Sequence, residues 1–444
     1  MIGSSATALP RETARLTFES DQYISNSQTY YREDAGNQLN NMTLLLDGDG
    51  KYREITGHIF LKNELNATEN RNYFNVHEAY LEISPFTDTT ISAGRKLETW
   101  AEWEGEWKQG IFQPRYLLNR LQPEQAGLVG LFVDQKINRF KLTVGALPFF
   151  VPDLGAHIHI ENHKFISKNP WFVPPASQFE FQEEQGDIRY ALDKPEMDEV
   201  IFHPGAIAKV EFERGNFKGR LSGAYKPMPQ LLLGFPSLDR VILGPNSQYL
   251  AINVQPRIVY HRLVSADSSI KVGRWTVSGS VTHENPENDF GPQSHTAQQV
   301  QPAWIWSASA SMPMEQEGPS ASRLRFGVLK MNGGDATDRG EFAKSETLFE
   351  KRFQYNEAYL VGISKYWRGL FRFPLETDVR VVYDRLQNGG VLSLSSNLNL
   401  SASWRAGVEL DFMGLLGTDA QIEDGFLARY RANDRVGLGM SYVF

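Results

Sequence analysis

The sequence predicts an all-β protein that forms a single transmembrane antiparallel β-barrel of about eighteen strands. Three observations support this fold. Apolar and polar residues alternate along the 444-residue chain, short turns alternate with long connections, and the chain ends in an alternating segment that closes on phenylalanine. Period-two alternation is typical of strands with one apolar face, whereas an amphipathic helix repeats about every 3.6 residues. No stretch approaches the roughly 18 consecutive apolar residues of a spanning helix.

Strict alternation defines the strand segments. In residues 206–213, alanine, valine and phenylalanine occupy one face, while lysine and glutamate occupy the other. Many such segments have about the 9–11 residues that a tilted membrane strand needs. The last segment is either one strand or a hairpin that turns at Asn433 and Asp434. The predicted segments are 12–20, 40–50, 55–66, 74–84, 89–98, 126–136, 140–147, 206–214, 217–226, 250–263, 272–284, 303–312, 322–332, 356–367, 376–386, 391–400, 405–413 and 424–444.

The connections between these segments alternate in length. Residues 214–216 form a predicted tight turn, whereas residues 333–350 form a long connection. Short turns at one rim and long loops at the other are typical of outer-membrane barrels. We therefore expect an N-terminal tail over residues 1–11 and one barrel over residues 12–444.

The end of the chain favours a membrane barrel over a soluble all-β protein such as a propeller, for which no blade-length repeat is visible. Along residues 435–444, apolar side chains share one face, and glycines and a serine share the other. This pattern resembles the terminal strand that the barrel-assembly machinery of bacterial outer membranes recognises. Tyr442 and Phe444 are therefore expected to form an assembly signal. Expected partners are that machinery, outer-membrane lipid and lipopolysaccharide.

Residues 148–204 interrupt the alternation. They combine prolines with aromatic residues and are far longer than an ordinary loop of about 2–6 residues. We expect an ordered insert in the lumen or at the mouth of the barrel, with an external surface loop as the alternative. Its candidate constriction residues are Phe149, Phe150, Trp171 and Phe172.

Residues 99–125 form a second irregular stretch, which is rich in tryptophan and glutamate. Aromatic faces beside carboxylates suit the stacking of sugar rings. They suit equally an aromatic girdle at the membrane interface, or simple loop packing. Trp100, Trp103 and Trp107 are thus candidate sugar contacts, with the girdle as the alternative.

Alternation assigns charged residues of both signs to the inner wall. An unpaired buried charge costs several kcal/mol, so such a lumen must be hydrated or braced by ion pairs. Each residue either contributes to a constriction or is a paired wall residue without a ligand. The candidates are Lys62, Glu64, Glu78, Glu82, Lys96, Lys209, Glu211, Lys218, Arg220, Arg325, Arg380, Glu409, Asp411, Arg429 and Arg431.

A family resemblance covers part of the chain. The strand at 76–83, the segment at 90–96 and the Trp-rich stretch that follows resemble the corresponding region of alginate-export and related porin-type barrels. The chain departs from an alginate exporter because it lacks a dense arginine cluster. The resemblance implies a monomeric pore of about eighteen strands. The matching positions are Glu78, Tyr80, Gly94, Arg95 and Lys96.

Composition and motifs exclude other functions. The chain has no cysteine, which excludes disulfides and thiolate metal sites, and its net charge of −8 with scattered basic residues argues against a nucleic-acid surface. The nine histidines lie in no hydrolase or metalloprotease motif. His157, His159, Glu161 and His163 have a spacing that suits a divalent metal, but polar loop residues are the default interpretation. We expect no catalysis, no metal and no cofactor.

Two functions fit these observations. The first is an outer-membrane channel that passes hydrophilic solutes or an extended polysaccharide through a charged lumen. The second is a plugged, non-conducting barrel that acts as a scaffold for a periplasmic or surface partner. The sequence leaves this choice open, because barrel selectivity depends on where inward charges meet.

Overall fold

The computed structural model describes residues 14–24, 38–181, 184–244, 247–287, 296–314, 322–338, 352–367, 373–416 and 425–444. Within these ranges, 18 antiparallel strands form one closed barrel, in which each strand pairs with its neighbours along the chain. The last strand pairs with the first, so that Thr17 lies opposite Ser441. The predicted all-β fold and the strand number are therefore confirmed.

The barrel strands are β1 (Ala14–Tyr23), β2 (Gln38–Tyr52), β3 (Ile55–Asn66), β4 (Arg71–Phe86), β5 (Thr89–Lys96), β6 (Leu128–Ile137), β7 (Phe140–Leu147), β8 (Gly205–Arg214), β9 (Phe217–Pro227), β10 (Tyr260–Val272), β11 (Trp275–Pro286), β12 (Ala303–Pro313), β13 (Arg323–Gly333), β14 (Glu357–Trp367), β15 (Leu375–Asp384), β16 (Gly389–Asn399), β17 (Trp404–Leu415) and β18 (Arg435–Val443).

The two rims of the barrel differ, as the sequence predicts. One rim, which we call the turn rim, carries tight turns in which Asn138, Gly215 and Gly273 adopt positive φ angles of 55°, 61° and 60°. Such left-handed residues suit two-residue hairpins, because their twist matches that of the strands. The opposite rim, the loop rim, carries the long connections 97–127 and 148–204.

The outer surface of the barrel is apolar. Phe18, Leu81, Val264 and Leu438 are each more than half exposed on positions that alternate with inward residues. A closed barrel pairs its backbone groups between strands, so it crosses lipid without needing an apolar interior. An even number of antiparallel strands, an apolar exterior and unequal rims are the features of a bacterial outer-membrane barrel.

Tyr442 and Phe444 lie at the turn rim, where β18 closes the barrel. Their ring centroids are 4.9 Å apart, and the Trp404 ring lies 4.9 Å from that of Tyr442. Phe444 is 67% exposed, and its backbone N–H donates to the carbonyl of Ala14. The cluster suits the aromatic girdle of a membrane interface. Its role as an assembly signal stays a prediction.

Two predicted strand segments, 250–263 and 424–444, differ from the structure. The strand Ser247–Arg257 belongs to an outer sheet, and β10 begins only at Tyr260. The segment 424–444 is neither one strand nor a hairpin, because a short helix precedes β18. That helix buries Phe426, Leu427 and Tyr430, which strand alternation cannot place on one face. The predicted tail 1–11 lies outside the described residues.

The connections contain the remaining elements. The helices are α1 (Glu102–Trp107), α2 (Met197–Ile201) and α3 (Phe426–Tyr430). In the part of the chain that is described, no helix is long and apolar enough to cross a membrane. Two short hairpins pair Arg115–Tyr116 with Glu124–Gln125, and His159–Glu161 with Lys164–Ile166. An outer sheet contains, in spatial order, Gln178–Phe181, Glu184–Leu192, Ser247–Arg257, Leu232–Gly244, Thr296–Val300 and Ala336–Asp338.

Candidate functional site

The lumen is filled by residues 97–127, the connection between β5 and β6, which we call the plug. Trp100, Trp103 and Trp107 of the plug are only 1–2% exposed. Trp103 Nε1 donates a hydrogen bond of 2.8 Å to Thr282 Oγ1 on the wall, and the Trp107 ring packs edge-on against Tyr355. The apolar core of the protein therefore lies inside the barrel.

These positions correct two expectations for the three tryptophans. Because they are buried, they neither contact a sugar in this conformation nor form a girdle at the membrane interface. A signal was present in the sequence. Positions 100, 103 and 107 are spaced three and four residues apart, which is the period of a helix face rather than of a strand. Helix α1 turns the rings of Trp103 and Trp107 into the core, and Trp100, just before the helix, is buried as well.

The turn after α1 contains Gly110 and is stabilised by an ion pair of Arg115. Lys108 ends the helix with φ 47°, and Gly110 has φ 73°. The positive φ of Gly110 favours glycine, and a Cβ there would also displace the Arg115 side chain from its ion pair with Asp153. Arg115 Nη2 donates a hydrogen bond of 2.9 Å to Asp153. This ion pair attaches the plug to the insert 148–204.

Glu104 is a buried carboxylate at the centre of the plug. It accepts hydrogen bonds from the backbone N–H groups of Ile111 and Phe112, the latter at 2.9 Å. Burial raises the pKa of Glu104 to about 7, although these bonds and the charge of Lys226 oppose the shift. Since an unfolded glutamate titrates near about 4.3, the folded protein binds this proton more tightly. The resulting stabilisation is complete below about pH 4 and is lost as the pH rises through about 7.

Glu104→Gln is therefore expected to flatten the pH dependence of stability. The carboxamide keeps an oxygen that accepts both N–H groups but does not ionise. The free energy of unfolding of detergent-refolded protein, followed by tryptophan fluorescence, should fall between about pH 5 and about pH 8 in the parent and fall less in the variant. Glu161→Gln, in an exposed hairpin, is the matched control. Equal slopes in Glu104→Gln and the parent would contradict the assignment.

Ion pairs attach the first half of the plug to the wall. Glu98 lies 3.0 Å from Lys96 Nζ and 2.7 Å from Lys209 Nζ. Burial alone would raise the pKa of Glu98, but these two ammonium groups hold it below its usual value. Arg220 Nη1 lies 3.3 Å from Glu102 at the start of α1. This side of the plug thus joins β5, β8 and β9.

A second set of contacts holds the far end of α1. Arg325 lies 3.7 Å from Glu106 and 2.6 Å from Asp378. Arg380 Nη2 donates a hydrogen bond of 3.3 Å to the backbone carbonyl of Glu106. Arg325 and Arg380 belong to β13 and β15, so the plug spans the lumen from β5 to the opposite wall.

A buried polar cluster near the loop rim joins the plug to the wall. Arg352 donates two hydrogen bonds of 2.6 Å to Glu284, and His261 Nδ1 lies 2.5 Å from the same carboxylate. Lys226 Nζ lies 3.2 Å from His261 Nε2 and donates to the carbonyl of Ile111 in the plug. This cluster was not predicted from the sequence. Strand register places Lys226 opposite His261, whereas Arg352 contacts Glu284 from a position distant in sequence.

The other predicted wall residues are found as follows. Glu78 accepts from the backbone N–H of Leu97, and Glu82 lies 4.0 Å from Lys96. Glu211 pairs with Arg220, and Lys218 pairs with Glu213 at the turn rim, where it is 64% exposed. Arg429 and Arg431 are not on a strand, because they lie in and just after α3.

The insert 148–204 lies at the mouth rather than deep in the lumen. Trp171 is 1% exposed, and its Nε1 donates a hydrogen bond of 3.1 Å to the Tyr23 hydroxyl. Its ring stacks on Phe426, so Trp171 covers the loop-rim end of β1 and β18. Phe150 is buried and Phe172 is half-buried. Phe149 is 43% exposed and packs against Phe202.

A cavity of about 640 Å³ remains between the plug and the wall formed by β1–β4 and β16–β18. It extends from Arg15 and Ser441 near the turn rim to Asn169 and Trp171 near the loop rim. Most of the residues that line it are polar. The charged ones are Arg15, Glu19, Asp21, Lys62, Glu64, Lys108, Glu124, Glu409 and Arg435.

Two charged clusters lie in the wall of this cavity. At the closing seam, Arg435 lies 3.0 Å from Asp21, 2.6 Å from Glu409, 2.7 Å from Asp411 and 3.7 Å from Glu19. We call these five residues the seam cluster.

On the neighbouring strands, Lys62 lies 3.1 Å from Glu64 and 2.7 Å from Glu124 of the plug. His77 Nε2 lies 3.0 Å from the same Glu124. Lys62, Glu64, Glu409 and Asp411 were predicted from the sequence as wall residues. Arg435 and the β1 acids of the seam cluster were not, although they follow the same inward alternation.

No group of three or more potential ligands among the described residues is arranged to hold a metal ion. His159 Nε2 lies 3.7 Å from the Glu161 carboxylate, and the rings of His157 and His159 stack in an exposed hairpin. That the chain is not an enzyme stays a prediction.

The proteins that this chain resembles share little of its sequence. The sequence matches no family model and none of the curated proteins compared with it. Similar solved structures include a BenF-like porin from Pseudomonas fluorescens, with 10% identity, 98% of each chain covered and a TM-score of 0.46. Wzi of Escherichia coli, an outer-membrane protein, has 10% identity over 98% of this chain and 85% of Wzi, with a TM-score of 0.45. OmpF of Salmonella typhi has 10% identity over 97% and 96% of the chains, with a TM-score of 0.43.

Proposed function

We propose that the chain is an outer-membrane channel for small hydrophilic solutes, which pass between the plug and the wall. The observation that supports this function is the polar cavity of about 640 Å³ along β1–β4 and β16–β18. Barrels of 16–18 strands are wide enough to leave an aqueous path once a loop narrows them. Arg435 and Lys62 hold most of the acids of this path in ion pairs, which fixes the position of polar groups along its wall.

The geometry favours small solutes over an extended polysaccharide. The plug is attached by Glu98 and Glu102 on one side and by Glu106 on the other. Its tryptophans fill the centre of the lumen. A polymer would need the plug to leave this core, whereas a small solute needs only the space beside it. The buried aromatic rings therefore limit the size of what passes.

The same packing favours a second function, a non-conducting scaffold. If Trp171 and the plug seal the cavity at the loop rim, the long connections become the functional surface. The outer sheet, whose core contains Ile188, Tyr190, Ile252 and Val254, would then present that surface. Conductance distinguishes the two functions directly.

Cysteine accessibility tests the proposed path, because the chain has no cysteine of its own. Thr43→Cys and Ser441→Cys place a thiol in the cavity lining. A cationic methanethiosulfonate reagent should reduce the current of both variants in planar bilayers. The matched control is Ser265→Cys, which faces inward but is 0% exposed and should not react. If purified, folded protein shows no conductance, the channel proposal is wrong and the scaffold is supported.

A further inference from the structure

We propose that the cavity between plug and wall prefers cations, so that it passes solutes carrying an ammonium or guanidinium group in preference to carboxylates. This inference rests on the proposed channel function and specifies its substrate class. It depends on which charges face the open space, and the two clusters of the cavity wall show the same arrangement.

In the seam cluster, two carboxyl groups are partly exposed to the cavity and the guanidinium group of Arg435 is buried. Arg435 is surrounded by four carboxyl groups within 3.7 Å, so the acids of the cluster outnumber its single cation. The Arg435 side chain is 2% exposed, whereas those of Glu19 and Glu409 are 30% and 32% exposed. A solute in the cavity thus meets the carboxyl groups of Glu19 and Glu409 more readily than the guanidinium group of Arg435.

One oxygen of this cluster lacks a partner. Asp411 Oδ1 is buried and accepts no hydrogen bond from the described residues, although Oδ2 of the same carboxylate is bound to Arg435. A buried acceptor without a donor costs about 1–3 kcal/mol. Asp411 is 0% exposed, so this oxygen acts from behind the cavity wall by adding to the negative potential of the cluster.

The second cluster repeats the pattern on β3 and the plug. Lys62 is 15% exposed and lies between Glu64 and Glu124, and Glu124 is 38% exposed. Burial would raise the pKa of Glu124, but the hydrogen bond from His77 and the charge of Lys62 lower it to about 2. This carboxylate is therefore ionised at neutral pH. It faces the same cavity as the seam cluster.

The remaining bases do not reverse this balance. Of the lining residues, Arg15 lies near the turn rim, and Lys108 lies on the plug, half-buried at the end of α1. With Lys62 and Arg435, the lining contains four bases and the five acids Glu19, Asp21, Glu64, Glu124 and Glu409, and a sixth acid, Asp411, lies behind it. In a narrow path of low dielectric, fixed charge of one sign concentrates counter-ions of the other. An ammonium or guanidinium group is the solute group that these carboxylates bind.

Reversal potentials of the purified, detergent-refolded protein in a KCl gradient test the inference. We expect the permeability ratio of K⁺ to Cl⁻ to exceed one, and arginine to enter proteoliposomes faster than glutamate. In the Glu19→Gln, Glu409→Gln double variant the ratio should fall towards one. These changes reduce repulsion around Arg435, so folding is expected to persist. Glu124→Gln, which changes the plug alone, provides a second variant.

Glu161→Gln is the matched control, because this acid is 63% exposed in a hairpin of the mouth insert. Its permeability ratio should equal that of the parent. Conductance without cation preference, or a preference that survives both cavity variants, would overturn this inference and leave the channel function standing. No conductance in the folded parent would instead overturn the channel function.

Discussion

Replacement of plug residues 98–125 by a short glycine–serine linker is expected to raise the single-channel conductance several-fold. The plug fills the lumen from β5 to β15, and the open path beside it occupies about 640 Å³. Conductance grows with the cross-section of the aqueous path, and an 18-strand barrel without its plug is wide enough for an open channel. The size limit for neutral sugars in proteoliposome swelling should rise at the same time.

This deletion also exposes apolar wall residues such as Phe132 and Leu263 to the lumen. Folding is therefore checked by heat-modifiable migration in gels. If the deletion does not fold, the double change Arg325→Gln, Arg380→Gln provides a milder test, since it releases only the far end of α1. Unchanged conductance in folded protein of both forms would show that the plug does not limit the path.

The sequence predicts the barrel well because the information is local. Each strand residue faces either lipid or lumen, so alternation along ten residues shows the strand without knowledge of its neighbours. A bulge shows the limit of this reasoning. The register shifts between Phe60 and Leu61, so the consecutive residues His77 and Glu78 both make polar contacts inside the barrel. Alternation alone assigns only one of them to the lumen.

The plug and the clusters could not be predicted in the same way. Both irregular stretches, 99–125 and 148–204, are aromatic, and which of them enters the lumen depends on contacts distant in sequence. Glu106 meets Arg325, and Trp103 meets Thr282, only after the barrel has closed. The seam cluster likewise joins Asp21 to Arg435, which lie at opposite ends of the chain.

Arg435→Met is expected to be the most destabilising single change in the barrel. It leaves the carboxylates of Glu19, Asp21, Glu409 and Asp411 together in a largely buried site without a cation. Removing one partner of a buried ion pair costs about 3–5 kcal/mol, because the remaining charge stays desolvated. The loss falls on β1, β17 and β18, the strands that close the barrel.

Denaturant unfolding of detergent-refolded protein, followed by tryptophan fluorescence, measures this loss. Arg262→Met is the matched control, since Arg262 is 67% exposed and pairs with Glu287 at 2.8 Å. An exposed pair of this kind contributes at most about 1 kcal/mol. Adding Glu409→Gln and Asp411→Asn to Arg435→Met should restore part of the stability, because these changes remove two of the stranded charges. Equal stability of Arg435→Met and Arg262→Met would contradict this prediction. It would mean that backbone pairing alone stabilises the closing strands and that another cation neutralises the carboxylates.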